Sequence, residues 1–366
     1  MSALTDEQVA RSRTRSLLLV ESAVSTCHDI ASWFGAMQAQ DAASGLFSLG
    51  VRLPQPSLSD VEAAFERADV IRTWPMRGTI HVIPAEDARW MLGLTGSRSM
   101  AASLGRRDQL GLDAATADKA VSVLSEALAA HPRLTRAECL QVIQDAGIPT
   151  DGQRGYHLLW FAAVQGVICI GPQDGKQQTF TLLDTCAPVQ VPLEGDDALA
   201  ELACRFFRSH GPAPVTDFAG WSGLTLTASR RGVALNEGRL VSLRHEDRDL
   251  WLTVDLADDL ASGAWRDWSV AVALPGFDEF VLGYKDRRIP VGESGLERIV
   301  PGNNGMFRST VCIDGRAVAV WTRAVRRDRV DIALEPFDGL TSEQQARIPG
   351  AFERYAQFIG VPARLV

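Results

Sequence analysis

Residues 134–183 read LTRAECLQVIQDAGIPTDGQRGYHLLWFAAVQGVICIGPQDGKQQTFTLL, and the order of signals in them decides the fold class. Thr135, with Glu138 three positions later, forms a capping box that opens a helix, and Gly147 stops it. A second apolar segment, YHLLWFAAVQG (156–166), follows at once. VICIGPQDGKQQTFTLL (167–183) then reads as two short strands around a turn containing Gly and Asp. Upstream, TADKAVSVLSEALAAH (116–131) places Ala120, Val123, Leu124, Ala127 and Leu128 at helical spacing, and His131-Pro132 ends that helix. Three helices followed by a hairpin is the winged-helix arrangement: the second and third helices form a helix-turn-helix, and the hairpin is the wing.

The same order recurs on both sides. DDALAELACRFFRSHG (196–211), PVTDFAGWSG (214–223) and TLTASRRGVALN (225–236) read as helices, and RLVSLRHEDRDLWLTV (239–254) as a hairpin with a charged turn. Near the start, Thr5 and Gln8 box a first helix, TCHDIASWFGAMQAQ (26–40) reads as a second, and Ser59 and Glu62 box a third. RTWPMRGTIHVIP (72–84) then alternates as a hairpin. Past residue 265 the texture turns to short strands, with the turn PGNNG (301–305), and TSEQQARIPGAFERYAQFIG (341–360) reads as one closing helix. The expected class is α+β. Three tandem winged-helix units (1–95, 96–190 and 191–262) precede a β-rich, barrel-like C-terminal domain (263–366), with no repeat at the residue level.

The composition is that of a globular protein, 46% hydrophobic and 22% charged. No apolar run is long enough to span a membrane, and the N-terminus lacks the pattern of a signal peptide, so a cytoplasmic protein is expected. Its six cysteines form no CxxC and read as buried free thiols. The net charge of −8 argues weakly against a nucleic-acid partner, yet only Lys119, Lys176 and Lys285 are lysines and every other cation is an arginine. Arginine suits phosphate contacts, although the same bias follows from a GC-rich genome.

Several clusters invite chemical readings and fail them. RHEDRD (244–249) reads as a solvated wing turn rather than a metal site. Cys27, His28 and Asp29 are adjacent on a helix and do not face one another. Asp278 and Glu279 in GFDEF would point to opposite faces of a strand. No P-loop, dinucleotide fingerprint or Gly-x-Ser-x-Gly occurs, and neither a metal nor a cofactor is expected. Two features remain as candidate phosphate contacts. Arg77, Thr79 and His81 would share one face of a regular hairpin, and GYKDRR gathers Lys285, Arg287 and Arg288 in a loop.

FGAMQAQDAASG (34–45) sets Gln38 and Gln40 two apart. Glutamine donates and accepts hydrogen bonds but takes no proton at neutral pH. Read alone, the pair is either a polar helix C-cap between Gly35 and Gly45 or a site that works without a base.

FGAMQAQD, VIRTWPMRGTIHVIPAEDARWM, YHLLWFAAVQG, DFAGWSGLT, ALPGFDEFVLGYKDRR and VPGNNGMF occur in the order and spacing of the winged-helix DNA glycosylases of the AlkZ-like type, which the chain resembles from about residue 30 to just past 300. The resemblance implies tandem winged helices around a concave DNA channel, a C-terminal β-barrel, and a Gln–aliphatic–Gln motif matched by Gln38, Ala39 and Gln40. It implies removal of alkylated purines from duplex DNA, crosslinked ones included. A purine alkylated at N7 is already cationic and leaves as a neutral base, so two oriented amides suffice to hold water and complement an oxocarbenium-like sugar. The scarcity of lysine points to a monofunctional enzyme that leaves an abasic site, acting as a monomer. The rival expectation is a winged-helix regulator or adduct-binding protein without catalysis.

Overall fold

The computed structural model describes residues 3–366 apart from 293, 294 and 338. The chain packs as two compact units, one comprising Met1–Val61 with Leu199–Val366 and the other Glu62–Ala198. This packing partition differs from the four stretches expected from element order.

Within Glu62–Ala198, five antiparallel strands run in the order Thr79–Pro84, Val70–Met76, Ile168–Ile170, Thr179–Leu182, Leu134–Thr135. The helices Ala88–Gln109, Ala114–Ala130, Arg136–Asp145 and Arg154–Val164 accompany them. Leu124 and Leu128 are buried, as the helical spacing predicts, and Ile143, Leu158 and the strand residue Phe180 are buried too. The capping box at Thr135 and Glu138 is formed, and Gly147 takes φ +81° just past the helix end. The first hairpin turns at Arg77 and Gly78, both with positive φ, and its register shifts between Thr73 and Met76, where Pro75 offers no N–H.

In the other unit, the helices Gly195–His210, Val215–Ser222 and Leu226–Ala234 precede a hairpin of Leu240–His245 and Arg248–Thr253, joined by the charged pair Glu246 and Asp247. The expected β-rich, barrel-like C-terminal region is a half-barrel sheet. Its strands run Ala363–Leu365, Val330–Pro336, Arg316–Val325, Thr310–Ile313, Ala271–Leu274, and among the described residues the two outer strands do not pair with each other. The expected closing helix is two, Ser342–Ala351 and Glu353–Ile359, with Pro349 interrupting the donor ladder before the break. A strand then follows, Ala363–Leu365, parallel to Val330–Pro336. The third N-terminal helix, Leu58–Glu66, starts from Ser57 rather than Ser59, whose Oγ pairs with that of Ser57.

Candidate active site

The glutamine segment is not helical. The helix Cys27–Phe34 ends at Gly35, whose φ of +79° breaks it, and Arg208 donates to its last carbonyls at Ser32 and Trp33. Met37 and Gln38 are extended, and the chain bends at Gln40. Asp41 then accepts from the Ser44 N–H and opens the helix Ala42–Gly50. The expected helix over 26–40 therefore stops before the motif, and neither glutamine caps it. Gln38 is 9% exposed, Ala39 is buried and Gln40 is exposed.

The short helix after the motif is held on three sides. At Gly45 it lies against Ala39. Gly50 abuts the ring of Phe358, where a Cβ would come within 2.3 Å, and Phe47 meets Tyr355 and Phe358 at centroid distances of 4.8 and 5.1 Å. The third anchor is ionic. Arg52 makes a two-pronged contact with Asp278, both at 2.9 Å, and Ser48 Oγ donates to Asp278 at 2.7 Å. Both side chains of the ion pair are closed from water, at 0% and 2% exposure. The Leu17 and Ser48 carbonyls and Ser48 Oγ also accept from Arg52.

GFDEF is not a strand, which corrects the expectation that its acids point apart. Asp278 is the N-cap of the helix Glu279–Leu282, and it accepts from the Phe280 N–H. Both acids are buried at the start of this turn, with different partners. Glu279 Oε1 accepts from the backbone N–H of Gln38 at 2.9 Å. Its Oε2 takes Trp221 Nε1–H at 3.1 Å and faces His210 Nε2 at 3.2 Å. Glu279 thus holds the motif directly, His210 and Trp221 hold Glu279, and Arg52 anchors the helix that follows through Asp278; sequence reasoning missed all four as site residues. GFDEF was the available signal, and reading it as a strand concealed it.

The candidate phosphate contacts are placed unevenly. Arg77 sits in the hairpin turn, outside the strand, with its side chain exposed. His81 is 0% exposed, between Arg77 Nη2 at 3.1 Å and the Thr79 carbonyl at 2.9 Å. Thr79 Oγ1 is buried without a partner. The outward stripe expected for Arg77, Thr79 and His81 is therefore absent, because the strand Thr79–Pro84 is buried from Ile80 onward. Lys285 is exposed, its stem lying over Gly220 and its backbone N–H bonded to Asp217. Arg287 donates to the Val281 carbonyl and stacks on Phe307. Arg288 pairs with Asp286 at 2.8 Å, which holds that carboxyl well below its ordinary range and raises the guanidinium. RHEDRD is the charged turn expected, with Arg244 on Asp249 and Arg248 on Asp286. All six cysteines are free, and among the described residues no group of three or more His, Cys, Asp or Glu is placed to hold a metal. No helix among them is long and apolar enough to cross a membrane.

The chain is a mixed helix-and-sheet fold in which the buried Glu279 holds the Gln38 backbone N–H. The chain belongs to the AlkZ-like DNA glycosylases: the family model described as "DNA glycosylase AlkZ-like" matches residues 31–358. It is similar to the interstrand DNA cross-link repair glycosylase of Streptomyces sahachiroi, with 25% identity over 308 residues, covering 80% of this chain and 81% of that one. The solved structure of the Streptomyces sahachiroi DNA glycosylase AlkZ shares the fold over the full length of both chains, with a TM-score of 0.80 and 21% identity.

Proposed function

We propose that this protein excises N7-alkylated purines from duplex DNA, including purines joined in interstrand crosslinks, by hydrolysing the glycosidic bond with Gln38 and Gln40. The observation that carries the reading is the tethering of the Gln–Ala–Gln segment, through the Gln38 N–H on Glu279 and Ala39 on Gly45. Fixed dipoles stabilise a transition state because they need no reorganisation when charge develops. Ala39 packs onto Gly45, Gln38 precedes the bend and exposed Gln40 stands at it, and the reading requires both amides to reach the same sugar. One amide oxygen accepts a hydrogen bond from the attacking water, whose proton passes to solvent as the new C–O bond forms, and both complement the cationic sugar. The cationic base leaves neutral and needs no acid. Unmodified purines lack this activation and are spared.

The repeats at 1–95, 96–190 and 191–262 serve as winged-helix units along the duplex, with 263–366 as the C-terminal support. Exposed Arg77 and Lys285 contact phosphates. N7 faces the major groove, and a crosslink ties the two strands, so an open channel serves better than full extrusion of the nucleotide. The enzyme is monofunctional and monomeric, and it leaves an abasic site.

The test is alkali-revealed strand breakage on a duplex carrying N7-methylguanine and on one carrying a crosslink, with wild type, Gln38→Ala and Gln40→Ala. Breaks that fall roughly 100- to 1,000-fold in rate in either variant support the reading. Adduct-dependent binding without breaks on either substrate would instead make it a binding protein.

A further inference from the structure

We propose that Glu279 is a positioning residue for the reaction, holding the Gln38 backbone so that its amide is aimed at the sugar. This inference rests on the glutamine reading above. Burying a carboxylate is costly unless donors surround it, and Glu279, at 0% exposure, is surrounded. Oε1 receives the Gln38 N–H, and Oε2 receives Trp221 Nε1–H and faces His210 Nε2.

Those partners are themselves fixed. His210 stacks on Phe206 at 4.6 Å and an interplanar angle of 9°, and its Nδ1 lies 2.8 Å from Ser209 Oγ. Its ring fits only because Gly283 lacks a side chain; a Cβ there would come within 2.3 Å of His210 Cδ2. Trp221 is buried and packs on Phe206 at 5.2 Å. Meanwhile the neighbouring Asp278 grips Ser48 and Arg52 on the far side of the motif. Two consecutive acids therefore clamp both flanks of the glutamine segment, Glu279 before the bend and Asp278 after it. Orientation at this level matters because a small misplacement of a catalytic group costs rate before it costs binding.

The donor pattern supplies a test. A glutamine at 279 carries one acceptor and one donor. Either way round, its NH2 meets a donor: the Gln38 N–H at one position, the Trp221 N–H at the other. Removing the indole N–H with Trp221→Phe relieves the mismatch, because the amide oxygen then takes Gln38 while the NH2 donates to His210 Nε2 once that ring carries its proton on Nδ1, toward Ser209 Oγ. Glu279→Gln and Glu279→Gln/Trp221→Phe are compared with wild type in single-turnover excision of N7-methylguanine at saturating protein, alongside duplex affinity and thermal melting.

Glu279→Gln is expected to lower the rate by roughly tenfold to hundredfold at unchanged duplex affinity, and the double variant to recover most of it. A folded Glu279→Gln with wild-type rate overturns the proposal, as does a fall in rate matched by an equal loss of affinity. If Glu279→Gln does not fold, the double variant decides alone: wild-type rate supports the hydrogen-bond role, and a folded but inactive protein overturns it. Gln38→Ala and Gln40→Ala run in parallel. If they keep full activity, the glutamine reading has failed; if they are inactive while Glu279→Gln is not, only the positioning role has.

Discussion

Ala39 and Gly45 are in direct apposition: a Cβ on Gly45 would stand 2.6 Å from the Cβ of Ala39 and 3.1 Å from its Cα. The small middle residue of the glutamine motif is thus matched to a missing side chain on the helix that follows. Gly45→Ala puts a methyl where backbone and Cβ already stand, so the segment must shift. Overpacking of this kind costs about 1–3 kcal/mol of stability. The excision rate is expected to fall more than duplex affinity does. Unchanged kinetics in a folded Gly45→Ala protein would show that the placement of the segment is irrelevant to the reaction.

Arg52 and Asp278 form a buried two-pronged ion pair that joins chain segments 226 positions apart. Taking away one partner leaves an uncompensated charge, which costs about 3–5 kcal/mol. Asp278→Ala also strips the acceptor from Ser48 and the cap from Phe280. Urea unfolding of Asp278→Ala and Arg52→Ala is expected to show losses in that range. The paired replacement Arg52→Met/Asp278→Leu should lose less than either. A single-variant loss under about 1 kcal/mol contradicts the anchoring role.

Lys285 and Arg288 are close in sequence but electrostatically unlike. Arg288 is tied to Asp286 at 2.8 Å and lies 3.8 Å from Glu246, whereas Lys285 has no ion-pair partner among the described residues. Lys285→Ala is expected to weaken duplex binding and to reduce the salt slope by about 0.9, the release of one phosphate's counterion. Arg288→Ala should leave the slope unchanged. Slopes from titrations over a range of salt concentrations check both, and equal effects from the two variants would refute the distinction.

Asp217 is buried, with its Oδ1 on the Lys285 N–H and its Oδ2 unpartnered. Burial raises its pKa, the largest influence on it. A carboxyl whose folded value lies above the unfolded value stabilises the fold most below the unfolded value, about 3.9, and loses that stabilisation as pH rises through the folded value. Asp217→Asn lacks this dependence. The melting temperature of the variant relative to wild type should therefore move in the variant's favour from acid to neutral pH. A constant difference across that span excludes the assignment.

Much of the helical framework was legible because its signals are local. Thr5 with Gln8 and Thr135 with Glu138 form the boxes that their spacing announces. His131-Pro132 and Gly147 stop helices where chain stereochemistry requires. Failures came where a short signal was outweighed by packing. The glutamines continue a helical pattern that Gly35 ends, and GFDEF alternates like a strand yet turns on an Asp278 cap. His81 alternates as an outward residue in a hairpin whose strand is buried on both faces.

By itself, the sequence determined the helices and hairpins of 116–183 and 196–254, the Gln–Ala–Gln motif and the family, because periodicity, caps and motif order act over a few residues or along the chain. Only the tertiary structure decided what surrounds the motif. Gln38 meets Glu279 from 241 positions away, and Ser48 meets Asp278 from 230. No local pattern encodes such a pairing. A carboxylate is stable inside a protein only when several distant donors converge on it, and that convergence exists only once the chain has folded.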